Sequence, residues 1–150
     1  METTKQFYAA YQEARTRLQL LLNDLTAEDL TKKLQTCPNS CGFLLRHIGD
    51  VELLFSKNVF KLVDVQVKAK TVMDQRDTGE WTSLSELQEY LSHSFKTVLT
   101  AIAQQDEESW EESIETKEFG TKTKAEAFGR IISHTAYHAG QLAIIQKYGE

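Results

Sequence analysis

The sequence predicts an all-α fold, a four-helix bundle, and three observations carry that expectation. Four segments place apolar residues three and four positions apart, the mark of an amphipathic helix with one buried stripe. Three of those segments follow a Ser or Thr suited to capping a helix N-terminus, at Ser40, Ser83 and Thr123. No segment supports a convincing sheet, so the helices must bury their stripes against one another. At 150 residues the chain fits a single domain, 1–150, long enough to build a core without staples.

In the first helix, from Thr3 to about Leu25, the residues Phe7, Tyr11, Ala14, Leu18, Leu21 and Leu25 step by fours and threes. Thr26 with Asp29 three positions on suits a short helical turn, ended by Cys37-Pro38-Asn39-Ser40. The second helix opens at Ser40 and carries Phe43, Leu44, His47, Ile48, Val51, Leu54, Phe55 and Val59 on a broad apolar face. Between about Leu62 and Thr82 the period weakens. Val63, Val65 and Val67 alternate with polar residues there, so a long connection with a short extended piece is expected, turning at Asp77-Thr78-Gly79.

Ser83 and Glu86 form a capping box for the third helix, followed by Leu84, Leu87, Leu91, Ser94, Val98 and Ile102 at helical steps. The acidic segment Asp106 to Glu118, with Trp110 and Ile114, has room for one short turn, and Gly120 and Thr121 mark a loop. Thr123 and Glu126 make a second box, and the fourth helix runs to about Tyr148, where Gly149 stops it. About 20 residues join the second and third helices, a reach of about 65 Å, so those two can lie parallel through a crossover. The connection before the fourth helix is also long, and lengths alone leave the topology open. Gly49, Gly129 and Gly140 interrupt helix interiors at a cost of up to about 1 kcal/mol each, and close helix contact is the expected reason.

Composition excludes several function classes. The net charge is -5 with Lys and Arg scattered, which is not the footprint of a nucleic-acid or anionic-membrane binder. No apolar run approaches membrane-spanning length, and Met1 to Lys5 leads into a helix without the apolar region of a signal peptide, so the expected compartment is the cytoplasm. Cys37 and Cys41 have the wrong spacing for a C-x-x-C redox pair and read as reduced thiols.

The chemistry gathers on histidine. His134 and His138 lie one helical turn apart on the stripe of Phe128, Ile131, Leu142 and Ile145, and His47 lies on the apolar face of the second helix. A buried imidazole without a partner costs roughly 1 to 3 kcal/mol, so three on core faces ask for a reason. One histidine from one helix and an i, i+4 pair from another can converge on a borderline divalent ion such as zinc, leaving at least one position for water or substrate. Cys41 precedes His47 by six residues, about 9 Å along a helix, too far toward the helix start to complete a closed structural site. His93 falls off the third helix's stripe and is expected at the surface. The chain has no Ser-His-Asp arrangement, phosphate-binding glycine loop or H-E-x-x-H, so any mechanism rests on the metal.

The run Gly42-Phe43-Leu44-Leu45-Arg46-His47-Ile48 together with His134-Thr135-Ala136-Tyr137-His138-Ala139-Gly140-Gln141 resembles the motifs of the DinB/YfiT family of bacterial metal-binding four-helix bundles. The second run matches that family's H-x-x-x-H-x-G-Q pattern, and the resemblance covers nearly the whole chain. It implies an up-down-down-up bundle, His47, His134 and His138 as ligands of nickel or zinc, and a homodimer. It also implies an S-transferase or isomerase using a low-molecular-weight thiol such as bacillithiol, mycothiol or glutathione, activated by the metal for attack on an electrophile. The alternative is a non-catalytic metal-binding stress-response bundle, and a metal-free bundle is a third reading. A related branch in sulfur-histidine biosynthesis carries an acid two residues after the second histidine, where this chain has Gly140. Gln141 matches the family position, and either orients a metal ligand or substrate or hydrogen-bonds within the bundle.

Overall fold

A computed structural model describes residues 2–150. Among the described residues there are five α-helices and one two-stranded sheet: α1 (Glu2–Asp24), α2 (Cys41–Leu54), α3 (Lys70–Met73), α4 (Leu84–Ala103), β1 (Ser113–Thr116), β2 (Gly120–Thr123) and α5 (Lys124–Tyr148). The four expected helices are α1, α2, α4 and α5. Both α1 and α2 pack on α4 and on α5, so the bundle runs in the cyclic order α1, α4, α2, α5.

Local chemistry sets the helix starts. Ser40 Oγ accepts from Phe43 N at 3.2 Å to open α2, and at α5 the Thr123–Glu126 box is complete, with bonds of 3.1 and 2.9 Å. At α4 only half of the expected box forms. Ser83 Oγ accepts from Glu86 N at 3.4 Å, and Glu86 does not reach back. The Thr26–Asp29 box caps a 3-10 turn, Ala27–Thr31, which drops the fully buried Leu30 into the core. Helix α2 continues through one π turn, Phe55–Val59, which brings Val59 and Phe60 into the core.

Two connections match expectation in part. The stretch after Leu62 is the long, aperiodic connection expected; its valine alternation forms no strand among the described residues, and it ends in the short α3. The segment before α5 holds the expected short turn, a 3-10 turn at Glu108–Glu111, but where a loop was expected it forms an antiparallel hairpin, Ser113 pairing with Thr123 and Thr116 with Gly120. Gly120, expected in a loop, opens β2 at φ 71°, where glycine avoids the strain of a side chain.

The glycine expectation holds at one of its three positions. A Cβ on Gly49 would lie 2.5 Å from the Tyr90 ring, so its absence lets Tyr90 cross α2. Nothing lies within 4 Å of such an atom on Gly129 or Gly140, which therefore do not mark helix contacts.

Two apolar clusters fill the interior. One contains Leu18, Leu22, Leu45, Ile48, Leu91 and Leu142; the other contains Tyr11, Val98, Ile102, Trp110, Phe128 and Ile131. Polar residues occupy the level between them. Arg15 on α1, Glu52 on α2 and Ser94 on α4 are all buried there, and His134 and Thr135 take the same level on α5.

Candidate metal centre

Helix α2 supplies His47 and α5 supplies His134 and His138. Ring nitrogens of the three, one from each residue, all lie within 4.8 Å of one another. Nε2 of His47 and Nε2 of His134 are 3.1 Å apart, and the His134 and His138 ring centroids are 4.4 Å apart. All three side chains are half-buried, at the edge of the core rather than inside it. Among the described residues no cysteine or acid joins the group. Cys41 is buried elsewhere in the apolar core, where desolvation pushes its thiol up to about 12, and Cys37 and His93 are exposed.

Hydrogen bonds decide which nitrogen two of the rings present. Thr71 Oγ1 donates to Asp50 Oδ2 at 2.7 Å, so it can only accept from His47 Nδ1, 3.1 Å away. Likewise Gln141 Oε1 lies 2.7 Å from His138 Nδ1 and accepts its proton. In both rings Nε2 is then left with a bare lone pair. The third ring is less satisfied: His134 Nδ1 is buried with no partner.

Asp50 anchors this arrangement. Fully buried one turn along from His47, it also accepts from Thr71 N at 3.1 Å, Arg46 Nε at 2.9 Å and Tyr90 Oη at 2.5 Å. Burial and the neighbouring carboxylate push the Tyr90 hydroxyl up, which keeps it a donor. Tyr90 reaches Asp50 over Gly49, and the Arg46 guanidinium lies over the Tyr90 ring, 3.7 Å from its centroid. Four donors on one carboxylate fix the Thr71 hydroxyl, and through it the tilt of His47.

The electrostatics favour neutral imidazoles. Burial first, and then the His138 charge, push His47 down to about 4; burial, then His138 and His47, push His134 down to about 3. Burial also lowers His138, against a smaller upward pull from Gln141. At neutral pH three uncharged nitrogen donors therefore converge, with no opposing positive charge among them. The His47–His134 nitrogen separation is close to the edge of a tetrahedron with ~2.0 to 2.1 Å bonds, about 3.3 Å. With the His47 lone pair facing His134 Nε2, either a proton or a cation must lie between them. The donor set fits a divalent ion.

His47 and His134 open on a cavity of about 510 Å³. Val51, Phe55 and Val72 wall one side, while Phe119, Arg130 and Tyr137 come from the hairpin and α5. The three predicted histidines and Gln141 thus come together as the sequence suggested. Asp50 and Thr71 were missed. Asp50 carried a signal, an acid three residues after His47 on a largely apolar helix; Thr71, in an aperiodic connection, carried none.

Comparison with curated proteins finds no match. The family model of the DinB superfamily, however, matches residues 10–142, a span that contains α2 and the part of α5 that carries His134 and His138. The match covers most of the chain, and the chain belongs to the DinB superfamily.

Proposed function

We propose that His47, His134 and His138 hold one divalent ion, nickel or zinc, and that the protein is a thiol S-transferase taking its small thiol from the adjoining cavity. The observation that carries this reading is the pairing of a three-nitrogen donor set with a cavity of about 510 Å³ on its open side, since a structural zinc site is usually closed by four protein ligands. A divalent cation in such a site acidifies a thiol, making the thiolate available to attack an electrophile. The new bond joins sulfur to carbon, and the electrophile's leaving group departs with its electron pair.

The chain's own residues orient and shelter. Asp50 and Thr71 hold His47 by its Nδ1 proton, and Gln141 holds His138 in the same way, so neither ring has to reorganise when its Nε2 is used. Val51, Phe55 and Val72 present an apolar wall that limits water around the sulfur. No helix among the described residues is long and apolar enough to cross a membrane. The up-down-down-up topology fits the long crossover between α2 and α4. A homodimer is part of the same reading, and the exposed Tyr137, Ile144 and Tyr148 along α5 support it.

The test is conjugation of monochlorobimane with glutathione, bacillithiol or mycothiol by the metal-loaded protein, followed by fluorescence. Turnover that exceeds a His138→Ala control with at least one thiol is expected. Equal rates with all three thiols would leave the non-catalytic metal-binding bundle as the better account.

A further inference from the structure

One cation, Arg130, and one acid, Glu118, line the cavity, and no ion pair joins them. Arg130 lies one helical turn before His134 on α5, and both line the same space. Its guanidinium lies over the Phe119 ring, 3.3 Å from the centroid, so the hairpin holds it in place. Among the described residues the ion pairs are Arg15–Glu52, Lys32–Asp29, Arg46–Asp50, Lys70–Glu80 and Lys124–Glu112, and none involves Arg130. The Arg130 side chain is exposed, so an anion can reach it from solvent.

We infer that Arg130 is an anion subsite, taking a carboxylate of the same small molecule whose other end lies at the histidines; the inference rests on the metal and thiol reading above. The Cβ atoms of residues one turn apart stand about 5 to 6 Å from each other, which puts a carboxylate on Arg130 within reach of a short molecule whose other end lies at the histidines. Guanidinium groups suit this task because their planar fork matches a carboxylate's two oxygens. A single negative charge fits better than a phosphate dianion. Arg130 is the one cation among the cavity's lining residues, and Glu118 at the same cavity repels additional negative charge. Phe119 and Phe55 also border a neighbouring cavity of about 640 Å³ under the hairpin, which gives room for the remainder of a longer molecule.

The experiment compares 3-mercaptopropionate with 3-mercapto-1-propanol, which differ in the charged end alone, on cobalt(II)-loaded protein by the thiolate-to-metal absorption band. Wild type is expected to bind the carboxylate at least about tenfold more tightly, about 1.4 kcal/mol. Arg130→Gln should abolish that preference while its metal content and its affinity for the alcohol stay unchanged, and Arg130→Lys should restore part of it. Undiminished preference in Arg130→Gln overturns the inference.

A thiol-free arm separates this outcome from failure of the function itself. Propionate titrated into the metal-loaded protein should shift the Arg130 Nε–H resonance, with zinc in place of cobalt for the NMR. If neither thiol perturbs the cobalt spectrum, the thiol reading fails, whereas a shifted Arg130 resonance still supports the subsite. An unmoved resonance overturns the subsite whatever the thiols do.

Discussion

Two of the polar clusters set into the apolar interior are built on opposite plans. Arg15 and Glu52 are fully buried and answer each other with a 3.0 Å ion pair. Arg15 also donates to the Leu91 carbonyl at 3.0 Å, and Tyr11 donates to Glu52. Burial raises the Glu52 carboxyl above its usual range while Arg15 and Tyr11 pull it back, and each ionised group has its partner inside the protein. The histidine cluster is half-buried, uncharged, open to a cavity, and leaves His134 Nδ1 without a partner. Closed polar networks fix the packing of helices; an open one with a bare lone pair has capacity for something from outside.

Changes to the two clusters should therefore separate stability from binding. The largest effect is expected from His134→Ala, which removes one of three donors and should abolish metal retention after dialysis, read by elemental analysis, while the fold persists. Glu52→Ala should do the reverse. Leaving Arg15 buried and unpaired should lower stability by about 3 to 5 kcal/mol in urea denaturation, with metal still bound by the folded fraction. If Glu52→Ala lost metal without losing stability, the distinction between the clusters would be gone.

A smaller effect is expected one bond away from the ligands. Thr71→Val removes the acceptor for His47 Nδ1 and should weaken metal affinity by about 10 to 100-fold in competition with a chelator. Asp50→Asn should act in the same direction. Gln141→Ala frees the His138 ring and should cost less than either, because one contact is lost at a ring the helix still positions.

The pH dependence of the metal-free protein gives a finer comparison. The folded His47 and His134 are held at about 4 and about 3, below the unfolded value near 6.5, so the unfolded chain binds more protons between those limits. Their contribution to stability is complete above about pH 6.5 and is lost progressively as pH falls toward 4. The melting temperature of the metal-free wild type should therefore decline between pH 6.5 and 5, and less steeply in a His47→Gln/His134→Gln variant. Equal slopes would mean that the imidazoles are not protected from protons.

Much of this was legible in the residues. Helical periodicity located α1, α2, α4 and α5, and Ser40 and Thr123 marked two starts, because capping and amphipathicity are local. The histidine set was legible because imidazoles at i, i+4 on a core stripe carry a desolvation cost that leucine or isoleucine would avoid. What escaped depended on distant partners. The hairpin Ser113–Thr123 needs cross-strand pairing that its short polar strands do not announce. Thr71 matters only because α3 lies against α2, and Arg130 only because the hairpin brings Phe119 over it.

X-ray absorption at the zinc edge of the zinc-loaded protein tests the central claim most directly. Three imidazole nitrogens at ~2.0 to 2.1 Å are expected, with one further light ligand that is replaced by sulfur at about 2.3 Å when a thiol is added. Fewer than three imidazoles, or a sulfur ligand before any thiol is added, would contradict an open three-histidine site.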